Sequence, residues 1–98
     1  MTNQMMQYTP QVIPILQRYQ IAKAAFFGSL VDGKFQEGHS DVDILVMPPK
    51  GMSLLGFIAL KQDIEDRIGK KVDLVSYNGL SPYLKESILN GQYVFYET

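Results

Sequence analysis

Apolar residues recur along this chain in two rhythms, and the switches between them mark its elements. Val12, Ile13, Ile15, Leu16 and Tyr19 fall at helical spacing and predict a first helix ending near Gln20. Thr9-Pro10 reads as its N-cap and first position, after a polar, Met-rich start that is loosely held, and Pro14 would leave one carbonyl unpaired. Ile21 to Phe27 is short, apolar and stopped by Gly28, which suits a first strand. Ser29-Leu30-Val31-Asp32-Gly33 is long enough for one helical turn, and Lys34 to Ser40 is a polar loop. Asp41 to Met47 carries an almost unbroken apolar body that Pro48-Pro49 ends abruptly, the pattern of a central strand buried on both faces.

The second half repeats the alternation. Ser53 caps a helix with Leu54, Phe57, Ile58, Lys61, Ile64, Glu65 and Ile68 at helical spacing, Gly69 as its stop and Lys61, Gln62, Asp63, Glu65, Asp66 and Arg67 on its outer face. Val72 to Ser76 is a third strand with a carboxylate, Asp73, in its body. Asn78-Gly79 is a turn, and Ser81-Pro82 opens a last helix that turns Tyr83, Leu84, Ser87 and Ile88 inward and closes at Gly91. The tail Tyr93-Val94-Phe95-Tyr96 reads equally as a short edge strand or as irregular packing. This order predicts one domain over residues 1–98, an α+β or α/β sandwich whose mixed sheet is packed by helices.

Composition narrows the function classes. Ninety-eight residues, 46% of them hydrophobic, suffice for one modest core and leave no room for a second domain. Lys+Arg 9 against Asp+Glu 10 provides no broad basic face, which argues against duplex nucleic acid as a partner. The absence of cysteine excludes a disulfide framework and a thiolate metal site, and fits a cytoplasmic location. The N-terminus lacks the pattern of a signal peptide, and no window approaches a membrane span. Apolar surface left exposed on so short a chain would make self-association physically open.

The candidate chemistry lies between Ala22 and Met47. In a strand, Asp41 and Asp43 project from one face while Val42, Ile44 and Val46 project from the other. Two like charges side by side are costly unless a cation joins them, which points to a metal. Glycine at position 28 lets backbone approach a phosphate closely, and Ser29 opens a helical turn whose N–H groups, with its hydroxyl, can receive phosphate oxygens. Asp73 places a third carboxylate in an apolar strand, where it calls for a partner. A lone Gly-Ser turn or a lone Asp-x-Asp is ordinarily a turn or strand-end feature; their conjunction with Asp73 is hard to explain as core packing. His39, the single histidine, reads as an exposed loop residue, and the scattered tyrosines as packing.

Taken together, Phe27-Gly28-Ser29, Asp41-Val42-Asp43-Ile44-Leu45-Val46 and Lys71-Val72-Asp73-Leu74-Val75 resemble the minimal nucleotidyltransferases of the DNA polymerase β superfamily, over almost the whole chain. The resemblance implies the nucleotidyltransferase fold, Gly28 and Ser29 as triphosphate-binding residues, and Asp41, Asp43 and Asp73 as catalytic carboxylates that hold Mg2+. It further implies ATP as substrate and a small helical HEPN ribonuclease toxin as partner, silenced by this chain as antitoxin, in some members by AMP transfer to a toxin tyrosine. Two departures accompany it. Leu30 to Ser40 is one residue longer than the family's usual spacing, and Val31-Asp32 stand where many members carry an arginine. Lys34, Lys70 and Lys71 are candidate replacements for that cation, each also readable as a solvated surface lysine. These departures support an alternative function, a non-catalytic antitoxin or adaptor that neutralises its partner by docking alone.

Overall fold

The computed structural model describes residues 3–98, with strands β1 (Lys23–Phe27), β2 (Val42–Met47), β3 (Val72–Ser76) and β4 (Tyr93–Glu97) in one sheet of order β3-β2-β1-β4. The helices are α1 (Asn3–Arg18), α2 (Ser29–Asp32), α3 (Leu54–Ile68) and α4 (Pro82–Gly91). β1 is antiparallel to both β2 and β4, whereas β2 and β3 are parallel. The mixed sheet follows from connection lengths. A parallel pair needs a long crossover, which α3 supplies between β2 and β3.

One sheet face makes the core. Ala24, Phe26, Val42, Ile44, Val46, Val72 and Leu74 are buried against Met5, Tyr8, Val12, Ile15 and Leu16 of α1 and Leu60 and Ile64 of α3. Strand alternation then sends Asp43 and Asp73 to the opposite face. Leu45 and Ala25 are also fully buried, so β2 is covered on both sides over its middle, as its apolar run predicts. The tail is resolved as a true edge strand: β4 pairs with β1 despite a register shift at Ala24/Ala25, and Phe95 stacks on Phe26 at 4.1 Å between ring centroids.

Three expectations are corrected. Helix α1 begins before Thr9-Pro10, both of which lie inside it; Met1 and Thr2, part of the start expected to be loose, are outside the described residues. Burial of Met5 and Tyr8 on the same stripe as Val12 extends the helix through the Thr-Pro signal. Thr9 donates its hydroxyl back to the Met5 carbonyl at 2.7 Å. Met6, Pro10 and Pro14 lie on the solvent side, so the carbonyls that the prolines leave unpaired face water. On α3 the inward stripe is Phe57, Leu60, Ile64 and Ile68, leaving Leu54 and Ile58 exposed. Its polar residues are also used: Asp63 accepts from Tyr19 of α1, and Glu65 accepts the Val72 N–H at 2.8 Å. On α4, Tyr83, Leu84 and Ser87 face solvent and only Ile88 and Leu89 are half-buried, because the helix touches the body through its last turns.

The predicted caps are present. Ser53 accepts the Gly56 N–H at 3.0 Å, and Gly69 ends α3 in the left-handed conformation. Ser53→Ala is expected to lower stability by about 1 kcal/mol, measured as a shifted urea midpoint with an unchanged slope. Among the described residues no helix is long and apolar enough to cross a membrane.

Candidate active site

The site forms where β1 ends and β2 and β3 begin. Phe27, the last residue of β1, pairs with Asp43, and Asp43 in turn pairs with Asp73 on β3. The three chain segments singled out in the sequence therefore meet on one sheet face through two adjacent register pairs. Asp41 lies one residue ahead of β2, exposed, on the same side as Asp43.

Gly28 is the hinge of this arrangement. Its φ is +67° with ψ −140°, a combination natural only to glycine, and it turns the chain from β1 directly into α2. A Cβ at this position would overlap Asp43 Oδ2 and lie 3.1 Å from Asp43 Cγ. The missing side chain thus makes the space that the Asp43 carboxylate fills. Ser29 completes the contact by donating its backbone N–H to that carboxylate. This amide is engaged with Asp43, which leaves the serine hydroxyl as its free donor among the described residues.

Electrostatics single out Asp43 within the trio. It is half-buried, whereas Asp41 and Asp73 are exposed. Burial, followed by the charges of Asp73 and Asp41, pushes its pKa up to about 6; the Ser29 N–H opposes the shift and Asp32 adds to it. A group of anions that costs this much in isolation is suited to receive a cation. The donors are oxygens only, the chemistry of Mg2+ and similar hard ions. Among the described residues no three His, Cys, Asp or Glu side chains form a complete metal site by themselves.

Both departures from the family pattern have local structural uses. Asp32 Oδ1 accepts the Lys34 N–H at 2.9 Å and closes the turn after α2, where Gly33 adopts a φ of +83°. The lengthened loop folds into a compact turn: the His39 and Ser40 N–H groups donate to the Gln36 carbonyl, and Ser40 Oγ accepts the Gln36 N–H at 3.0 Å. Glu37 of this turn is ion-paired with Lys70, tying the loop to the approach of β3.

Two grooves flank the carboxylates. On the Gly28 side, Phe27, Gly28, Val31 and Asp32 face Ser87, Ile88 and Gly91 of α4 across a cleft of about 600 Å³. On the opposite side, a shallow groove of about 490 Å³ runs past Asp41, Lys61, Glu65, Lys70 and Lys71. Neither α4 as a cleft wall nor the placement of Lys71 beside Asp41 was singled out in the sequence. The signal for Lys71 was its spacing of two from Asp73, which puts both on one strand face.

With this geometry in view, comparisons with known proteins are specific. Residues 10–98 match the family described as Polymerase beta, Nucleotidyltransferase. A Methanocaldococcus jannaschii protein named "Putative protein adenylyltransferase" is 42% identical over 80 residues, covering 82% of this chain and 85% of its own length. Protein adenylyltransferase MntA of Thermococcus cleftensis is 38% identical over 73 residues, covering 74% of this chain and 73% of its own. Two solved toxin–antitoxin complexes contain a chain of the same fold. One, with AMP-PNP, matches at TM-score 0.78 and 23% identity over 92% of this chain and 73% of that one. The other pairs a tri-AMPylated Shewanella oneidensis HEPN toxin with its MNT antitoxin, at TM-score 0.72 and 19% identity over 95% and 72% of the two chains.

Proposed function

The chain belongs to the polymerase β nucleotidyltransferase family, and from that premise we propose that it transfers AMP from ATP, with Mg2+, to a tyrosine hydroxyl of a HEPN-type toxin. It acts as the antitoxin of that pair, in the cytoplasm, through one minimal nucleotidyltransferase domain over residues 1–98. Its relatives are named protein adenylyltransferases, and a chain of the same fold stands beside an AMPylated HEPN toxin. The observation that carries the reading is the juxtaposition of Gly28-Ser29, Asp43 and Asp73 through adjacent register pairs.

In this reading the Ser29 hydroxyl and the backbone of the Gly28 turn bind the triphosphate, and the cleft between Phe27 and Ile88 takes the nucleoside. Asp41 and Asp43 would hold the cation, which when bound would supply charge neutralisation for the triphosphate and the departing pyrophosphate. Asp73, on the outer side of the trio, accepts the proton of the attacking hydroxyl. Most of the rate enhancement then comes from positioning and charge compensation. The docking-only alternative rests on Asp32 and the long loop; each has a local hydrogen-bonding use, and Asp32 also lines the cleft assigned to the nucleoside.

Incubation with α-labelled ATP, Mg2+ and a HEPN-type toxin protein tests the reading. Label is expected on a toxin tyrosine, located by mass spectrometry. A silenced toxin without label would leave docking alone as the mechanism. Independently, saturating ATP and Mg2+ should raise the melting temperature by linkage, and Asp41→Asn should remove that rise.

A further inference from the structure

Of the cations that line the groove on the Asp41 side, most are already committed. Lys61 pairs with Glu65 at 3.6 Å, and Lys70 pairs with Glu37. Lys71 has no ion-pair partner among the described residues, and it is exposed. Its position is set by the sheet. Val42 pairs with Val72, and the Val42 N–H donates to the Lys71 carbonyl at 2.9 Å, so one step back along each strand brings Lys71 beside Asp41. Lys71 and Asp41 line the same two grooves. Because Val72 and Leu74 are buried in the core, Lys71 and Asp73 share the outer face. By register, that face therefore carries a block of four positions: Asp41 level with Lys71, and Asp43 level with Asp73.

The position of the block relative to the phosphate turn gives Lys71 a task. Gly28-Ser29 adjoins Asp43 from the β1 side, while Lys71 lies beyond Asp41 on the β3 side, away from the cleft assigned to the nucleotide. With the triphosphate on the Gly28-Ser29 turn, as proposed above, a nucleophile attacking in line with the leaving pyrophosphate would approach from the opposite side, that of β3. We propose that Lys71 is a catalytic residue of the acceptor side, its ammonium group stabilising the phenolate that develops as the acceptor tyrosine attacks. The inference rests on the function proposed above and adds a residue and a preference to it. The phenolic O–H bond breaks with its proton passing to Asp73. The phenolic oxygen bonds to the α-phosphorus of ATP as the bond to pyrophosphate breaks, and pyrophosphate leaves. An ammonium beside the phenolic oxygen favours an ionisable phenol over an aliphatic alcohol.

The test compares the wild-type chain with Lys71→Met and Lys71→Arg, using the tyrosine-bearing partner protein with ordinary or ring-fluorinated tyrosine. Lys71→Met is expected to lower kcat for transfer about 10²-fold, with the ATP·Mg2+ thermal shift unchanged and activity largely restored by Lys71→Arg. The defect should narrow to about tenfold or less with fluorinated tyrosine, because a more acidic phenol needs less cationic help. A Lys71→Met enzyme with wild-type kcat, an equal defect on both acceptors, or loss of the ATP·Mg2+ shift would each overturn the assignment. If the wild-type chain itself transfers no AMP, the proposed function fails instead, which the same assay distinguishes.

Discussion

Asp43→Asn is expected to abolish AMP transfer while making the metal-free protein more stable at pH 7. The two effects share one cause. Asp43 is half-buried between Gly28 and Asp73, and burial and neighbouring charge push its pKa up to about 6 from the 3.8 of a free aspartate. Where the folded-state pKa of an acid is raised, the folded state binds the proton more tightly, so stability falls as pH rises between those two values. Above about pH 6 the ionised group carries the full penalty, on the order of 1–3 kcal/mol after allowance for its partial solvation. Asparagine removes the charge, retains an oxygen to accept the Ser29 N–H, and should raise the melting temperature at pH 7 by several degrees. The gain should disappear near pH 4, where the wild-type carboxyl is itself largely protonated in the native state. Thermal melts at both pH values, with chelator present, measure this. Transfer should fall by about 10³-fold or more, since a positioned charge at the reacting centre is lost. A destabilised Asp43→Asn protein at pH 7 would sink the account of the site as electrostatically strained.

Gly28→Ala should cost both stability and activity. The backbone at position 28 combines φ +67° with ψ −140°, where a Cβ adds about 1–3 kcal/mol of strain. The added methyl would also overlap Asp43 Oδ2, and Asp43 is hemmed on its other side by Asp73. The carboxylate must therefore leave the Ser29 N–H, and with it the position proposed for holding the cation. The expected result is a lowered melting temperature together with loss of the ATP·Mg2+ thermal shift and of transfer. The double variant Gly28→Ala/Asp43→Ala isolates the clash. It should be less destabilised than the sum of the two single changes, because truncating Asp43 removes the overlap and leaves only backbone strain.

Much of this site is readable from residues alone because its parts sit at places where local chemistry is decisive. Gly28 ends an apolar strand, and two aspartates open another at a spacing that a strand turns into a shared face. The caps of α3 and the start of α4 are equally local, since a serine side chain satisfies an amide only two or three residues away. By contrast, Thr9-Pro10 signals a helix start that lies inside α1. A local breaker signal yields when distant core contacts, here those of Met5 and Tyr8, favour continued helix. The stripes of α3 and α4 differ from the expected ones for a related reason: apolar periodicity offers several faces, and only the neighbours packed against a helix select one.

Residue order alone dictates that an apolar segment, a Gly-Ser turn and an acidic apolar segment follow one another, and that no cysteine chemistry is available. Tertiary structure decided which groups touch. The pairing of Phe27 with Asp43 and of Asp43 with Asp73 is a matter of register between residues up to 30 positions apart, which no local pattern specifies. It also decided the roles of the departures: Asp32 and the lengthened loop form hydrogen-bonded turns, while strand register sets Lys71 level with Asp41. Charge interaction depends on separation in space and on burial, and these quantities come into existence only when the sheet is assembled.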